Sequence, residues 1–383
     1  MTYADYQFGI YRDGLLDRRP PYPVDVHRLE ARARELLPDT PYWYVAGAAG
    51  TGSTAAANRA AFDRWRIVPR MLRDASERDL RTELFGRSYP APLALAPVGV
   101  QAIVRPEGEL ATARAAASLG LPMVVSTAAS YSLEQIAEDG GPRWYQLYWP
   151  HDDEVTLSIL ERATKAGYDT LVVTLDTWTL GWRPHDLDRA YLPFLRTTGL
   201  AIPFSDPVFR SRLSRPPEDD RAAAVETWIP MFNGRAHTWD QLSLLRQNWD
   251  GPILLKGIQH ADDARRAADA GMDGIVVSNH GGRQIDGAVG SLDVLPEIVA
   301  AVGEDLTVLF DSGIRTGADA FKALALGARC VLVGRPYIWG LAAGGEEGIR
   351  HVLQCLLAEL DLTLGLAGLS SIGDLDGSAL RER

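Results

Sequence analysis

The stretch LTVLFDSGIRTGADAFKALALGARCVLVG, residues 306–334, holds one complete unit of the fold. Leu306–Phe310 is a short, continuous apolar run. Residues 311–317 are polar and glycine-rich, Ala318–Leu326 spaces apolar residues three and four apart, and Val331–Val333 is apolar again. A run apolar on both faces, then an amphipathic helix, then a second such run, reads as two neighbouring strands of a parallel sheet joined by a crossover helix.

Outward from this unit the same kind of run recurs at Leu93–Ala96, Met123–Val125, Trp144–Tyr148, Thr170–Leu175, Ile253–Leu255 and Gly274–Val277, which brings the total to eight. Helical patterns fill most of the gaps, at Gly108–Leu119, Glu154–Ala166, Ala261–Ala270 and Leu292–Ala301. Eight alternating units predict an α/β protein of the (β/α)8 TIM-barrel type; an open, doubly wound sheet is the competing arrangement. The period breaks once. Between Asp176 and Pro252 there is no clear strand, and Pro184, Pro193, Pro203, Pro207, Pro216, Pro217 and Pro230 punctuate the chain. This reads as a lid insertion at about 177–250, after strand 4, partly packed through Tyr191, Phe194, Phe204, Phe209, Trp228 and Phe232. Helical patterns at Arg28–Leu37 and Ala55–Phe62 make 1–90 an N-terminal helical cap segment on a barrel spanning 91–383, one domain overall.

Composition narrows the function. Of 383 residues 46% are hydrophobic and 23% charged, which excludes a disordered chain. The net charge is −11 and no basic stripe is present, which argues against nucleic acid. Two cysteines, Cys330 and Cys355, give neither a disulfide framework nor a zinc site, and no metal is expected. The first fourteen residues lack a signal-peptide pattern, and no apolar run approaches the ~18 residues of a spanning helix. A cytoplasmic protein without membrane contact is the expectation.

A barrel builds its site at the C-terminal strand ends. Those positions hold Pro97 and Gly99, Ser126, Gln146 and Tyr148, Thr174 and Asp176, Lys256, Ser278 to His280, Asp311, and Gly334 with Arg335. Polar strand ends that merely meet water would explain any one of them, but not Gln, Lys, Asp and His converging from several strands. In SNHGGRQ, residues 278–284, His280 is either an acid/base group beside an anion-binding Arg283 or a structural, hydrogen-bonded histidine; Asp176 could orient it. Gly313 with Arg315, and Gly334 with Arg335, read as a phosphate site or as turn glycines with surface cations. Lysine occurs three times in the chain, and Lys256 ends a strand. It either stabilises negative charge on a cofactor ring or is a buried lysine paired with an acid.

These segments, with Tyr44 in YVAG, PEGE at 106–109, QLY at 146–148, LDT at 175–177, Lys256-Gly257 and Lys322–Ala328, resemble the FMN-dependent L-2-hydroxy-acid oxidase and dehydrogenase family over nearly the whole chain. Within that family TLDTW at 174–178, GWRP at 181–184, LPFLR at 192–196, KGIQH at 256–260 and DSG at 311–313 are most similar to lactate 2-monooxygenase. The resemblance implies FMN held by Pro97, Val98, Gly99, Ser126, Gln146, Thr174, Lys256 and Ser278, with Asp311, Gly313, Arg315, Gly334 and Arg335 in the phosphate region. It implies a substrate carboxylate on Arg283 and Arg183 with Tyr44, Tyr148 near the hydroxyl, His280 as base and Asp176 as its partner. It also implies oxygen as electron acceptor, a homo-oligomer (tetramer or octamer), and, for the monooxygenase, oxidative decarboxylation of L-lactate. A simple oxidase releasing 2-oxo acid and peroxide is the alternative; a quinone- or cytochrome-linked dehydrogenase and a non-redox phosphate-ligand-binding barrel are the rivals. Three positions depart from the family pattern: Thr51-Gly52 where an acidic pair is usual, Val98 for threonine, and Ala128 where glycolate oxidases carry tryptophan.

Overall fold

The computed structural model describes residues 2–383, so Met1, the start of the 1–90 segment, lies outside the described residues. Eight parallel strands close into a barrel. They are β1 (Leu93–Leu95), β2 (Met123–Ser126), β3 (Arg143–Leu147), β4 (Thr170–Thr174), β5 (Ile253–Ile258), β6 (Gly274–Val277), β7 (Thr307–Phe310) and β8 (Cys330–Val333). Each pairs with its neighbours in sequence, and β8 pairs with β1 through Val331 opposite Leu93, which excludes the open sheet. The eight apolar runs of the sequence are these strands, with ends shifted by up to three residues.

Along each strand the inward-facing residues alternate. Ala94, Val124, Trp144, Val172, Leu254, Val276, Leu309 and Leu332 belong to one interior cluster, which Leu84, Phe85 and Tyr89 complete. Those last three come from a hairpin, Thr82–Leu84 paired with Arg87–Tyr89, whose rings pack edge-on against Trp144 and close the N-terminal end of the barrel. The segment before residue 91 is therefore not wholly helical. It has helices Asp5–Gly14, Val26–Leu36, Asp39–Ala46 and Ser53–Asp63, then a short strand, Trp65–Ile67, that pairs with Leu380–Glu382 near the C-terminus, then the plugging hairpin. A short strand with one buried face carries too weak a period to be separated from a loop in sequence.

The insertion is ordered into short helices, three of which, Pro184–Asp188, Pro193–Arg196 and Pro207–Ser211, start on proline. Proline's fixed φ suits the first helical position, where its missing N–H costs nothing, so the prolines initiate structure here. Asp206 anchors the segment. Fully buried, its Oδ1 accepts from the Val208 and Phe209 amides at 3.0 Å each, and its Oδ2 accepts from Ser158 Oγ at 2.8 Å and Arg162 Nη1 at 3.2 Å on helix Asp153–Lys165. Ile202, Phe209, Ala224 and Trp228 are buried behind it.

Candidate active site

Two residues beyond the apolar layer, on the same inward face, stand Ser126, Gln146, Thr174, Lys256, Ser278, Asp311 and Gly334. The period of two that packs the barrel thus also sets a polar layer at its mouth. Above it lies a cavity of about 1300 Å³, solvent-open, bordered by Pro97, Val98, Gly99, Tyr44, Tyr148, Lys256, His280, Arg183, Arg283, Arg315 and Arg335 among others. The insertion contributes Leu180, Phe194, Leu200 and Trp228 to the same wall.

His280 Nδ1 lies 2.8 Å from Asp176 Oδ1. Thr177 Oγ1 donates to the same oxygen at 2.9 Å and sits 3.1 Å from Nδ1. Burial raises the Asp176 carboxyl, but His280 and Lys256 outweigh it and hold it at about 2. Burial lowers His280, against the pull of Asp176 and with help from Lys256 and Arg183. The resting pair is a carboxylate and a neutral imidazole with its proton on Nδ1, which leaves Nε2 as the basic atom. Of the two readings of this histidine, its place on the cavity beside a buried carboxylate favours the acid/base one. Lys256 is a buried lysine paired with an acid, Asp311, at 3.1 Å; it also bonds to Ser278 Oγ at 2.9 Å and borders the cavity.

The arginines differ from every other cation at the site. Arg283 donates to the Tyr44 and Gly47 carbonyls, Arg183 to the Arg283 carbonyl and Gln284, Arg315 to the Ile314 carbonyl, and Arg335 to the Val45, Gly47 and Gly281 carbonyls. Among the described residues none of the four pairs with a carboxylate. Burial and then Arg183 depress Arg283 to about 10; burial, then Arg283 and Arg315, depress Arg335 to about 9. Arg283 and Arg335 remain charged at neutral pH, and enclosed charge without a carboxylate partner calls for an anion. Arg283 and Arg183 form one such locus, and Arg315 and Arg335 the other.

Ser126, Gln146, Thr174 and Ser278 sit in the layer below and do not border this cavity. Ser126 donates to Gln146 Oε1 at 2.8 Å, and Ser278 Oγ accepts from Lys256 and the His280 amide. Gln146 Nε2 and Thr174 Oγ1 are buried without partners, so the barrel mouth holds polar groups that a flat, heteroatom-bearing ligand would satisfy. Thr177 and Ser312 were missed by the sequence reading. Ser312 Oγ accepts from the Asn279 and Gly281 amides and donates to Asp311, tying the loop after β6 to the loop after β7. The missing acidic pair at Thr51-Gly52 is answered from across the site: Asp286 accepts from the Thr51 and Ser53 amides.

Two anion loci and an imidazole–carboxylate pair around one barrel mouth fit an α/β-barrel enzyme that binds a phosphorylated cofactor beside a small acid. The family model for FMN-dependent dehydrogenases matches residues 33–382, and the chain belongs to that family. It is 50% identical to an FMN-dependent alpha-hydroxy acid dehydrogenase of Penicillium citrinum, over 100% of this chain and 96% of that one. It is 42% identical to an L-lactate oxidase of Lysinibacillus sphaericus, over 93% and 92%. A crystal structure of mandelate oxidase superposes with a TM-score of 0.84 at 41% identity, covering 94% of this chain and 98% of that one. FMN is the cofactor, and the unpartnered Gln146 amide, the Thr174 hydroxyl and the two free arginines near Gly313 and Gly334 fit it.

Proposed function

We propose that the protein oxidises an L-2-hydroxy acid, nominally L-lactate, with oxygen as the final electron acceptor. The observation that carries this reading is the pairing, in one cavity, of two carboxylate-free arginines with a neutral histidine whose Nδ1 proton is tied to Asp176. Arg283 and Arg183 hold the substrate carboxylate, Tyr44 and Tyr148 border it, and His280 Nε2 takes the proton released on oxidation. Asp176 stabilises the imidazolium so formed. FMN, when bound, accepts the two electrons and passes them to oxygen. Pro97, Val98, Gly99, Gln146, Thr174 and Lys256 hold its ring, Arg315 and Arg335 its phosphate, and Ser126 and Ser278 orient those groups from below.

A second reading, oxidative decarboxylation as in lactate 2-monooxygenase, is favoured by the insertion: Leu180, Phe194, Leu200 and Trp228 border the cavity and can retain 2-oxo acid and peroxide until they react. Lactate turned over in air should then yield acetate and carbon dioxide, and anaerobic turnover should yield pyruvate. Equal amounts of free peroxide and pyruvate in air would assign the simple oxidase. Residues 177–250 act as the lid in either case. A homo-oligomer in the cytoplasm completes the reading, supported by Phe8, Tyr11 and Leu15, which are exposed in or just after the first helix.

Ala128 sets substrate size. A Cβ on Gly99 would stand 2.7 Å from that of Ala128, and one on Gly199, at φ +83°, would stand 2.8 Å from the Ala128 carbonyl. The insertion therefore packs on the backbone of this wall, while Ala128 itself borders the cavity. Longer side chains gain at most about 0.8 kcal/mol per buried CH₂. Ala128→Trp should accordingly lower kcat/KM for 2-hydroxyoctanoate and mandelate more than for lactate; equal penalties across the series would place the side-chain pocket elsewhere.

A further inference from the structure

Eight buried side-chain polar atoms lack a partner among the described residues, and four of them belong to residues that line one chamber: Trp149 Nε1, Thr174 Oγ1, Asp176 Oδ2 and His237 Nδ1. The chamber lies behind Asp176. Its other walls include Tyr148, Thr177, Gly257 and Asp263, together with the exposed Arg235, Ala236 and Thr238 beside the half-buried His237. Tyr148 and Thr177 also border the main cavity, so the two spaces are separated by the Asp176–His280 pair itself.

The donor set identifies the occupant. Asp176 Oδ1 faces His280, and Oδ2, in the ionised carboxylate, only accepts. The indole Nε1 of Trp149 only donates. His237 Nε2 is 3.1 Å from the Trp149 carbonyl, a pure acceptor, so Nε2 carries the proton and Nδ1 is a bare acceptor. One donor and two acceptors match water, and Asp176 Oδ2 repels an anion. The His237 ring is fixed between Trp149, at 3.9 Å, and His151, at 4.0 Å, both nearly parallel to it. Asp153 and Gln241 also face His237.

We propose that this chamber is a water-filled proton passage leading from His280 through Asp176 to His237 and the surface, separate from the substrate mouth. The proposal rests on the function proposed above. Oxidation of the 2-hydroxy acid breaks one C–H and one O–H bond and releases two electrons and two protons; FMN would take the two electrons with one proton, and the other proton reaches His280 Nε2. With the insertion over the mouth, that proton leaves from Nδ1 to Asp176, then through water to His237 Nδ1, which returns it to chamber water at the surface end.

The test is anaerobic stopped-flow mixing of holoenzyme with lactate, in weak buffer containing a pH-indicator dye. In the unmodified protein proton appearance should coincide with flavin bleaching and precede dissociation of the 2-oxo acid. In His237→Phe, which keeps a flat ring in the stack, bleaching should stay within about twofold while proton appearance lags it by tenfold or more; Trp149→Phe should lag likewise, and His237→Gln, which restores an acceptor, should recover. Protons that appear only with product dissociation in the unmodified protein overturn the passage, as do variants whose proton release tracks bleaching or whose bleaching slows equally. Absence of bleaching in the unmodified protein would instead overturn the proposed oxidation.

Discussion

His280→Ala is expected to retain FMN and to slow anaerobic flavin reduction by at least ~10²–10⁴-fold, the usual contribution of a positioned general base. The imidazole contacts Asp176 and Thr177 through Nδ1, and no flavin-holding residue depends on its side chain, so cofactor content should be unchanged. The pH dependence has a definite sign. Burial disfavours the imidazolium most strongly; Asp176 opposes it, Lys256 and Arg183 add smaller contributions in the direction of burial, and the pKa of His280 lies below its ordinary value. Reduction in the unmodified protein should therefore hold below pH of about 6.5, where a free imidazole is already half protonated, and fall only as the buried ring takes up its proton. The variant should lose that limb. Stopped-flow reduction across pH checks both points, and near-normal reduction by the alanine variant would refute the assignment.

The residues that were legible in sequence share a physical property: each is read from a local period. Strands buried on both faces stand out as apolar runs, and the polar residue that ends each run is conspicuous because the face it occupies is otherwise apolar. Lys256 and Gln146 were visible for that reason. What was not legible depends on partners distant in the chain. Closure of the barrel, expected from the count of eight units, is made by Val331 opposite Leu93, a contact that neither run encodes by itself. The plug hairpin has only three residues per strand, and its role lies in Leu84, Phe85 and Tyr89 meeting Trp144. The insertion's prolines suggested irregular chain, yet several start helices that a buried aspartate, Asp206, pins to the barrel. Thr177 looked like a neighbour of Asp176 and no more, because its second contact, His280, is 103 residues away. The two readings of Lys256 could not be separated in sequence because a buried amine has several donors, and here one serves Asp311 while the head still borders the cavity.

Arg283→Lys should weaken substrate rather than cofactor binding. The guanidinium already gives Nη1 to the Tyr44 and Gly47 carbonyls and lies over the Tyr44 ring with its carbon 5.3 Å from the centroid, so its fork is aimed by contacts that a lysine cannot reproduce while also meeting a carboxylate. Arg183 stands close enough to depress Arg283, a mutual repulsion that a bound carboxylate relieves. Part of the binding free energy therefore comes from cancelling strain already present in the empty clamp. Lysine retains the charge but loses the second, parallel hydrogen bond and the planar fit. A charge-assisted hydrogen bond contributes ~1.5–3 kcal/mol, so kcat/KM should fall by about 10- to 100-fold. Most of the loss should appear in the apparent affinity for 2-hydroxy acid, with a smaller loss in kcat from misalignment of the α-carbon. Anaerobic titration with 2-hydroxy acid and with the matching 2-oxo acid reads the affinity directly, and both should weaken together because both present the same carboxylate. FMN content should hold, since the phosphate locus is Arg315 with Arg335. Unchanged affinity for both acids would mean that the carboxylate lies elsewhere, and the unpaired charge of Arg283 would then need another anion to account for it.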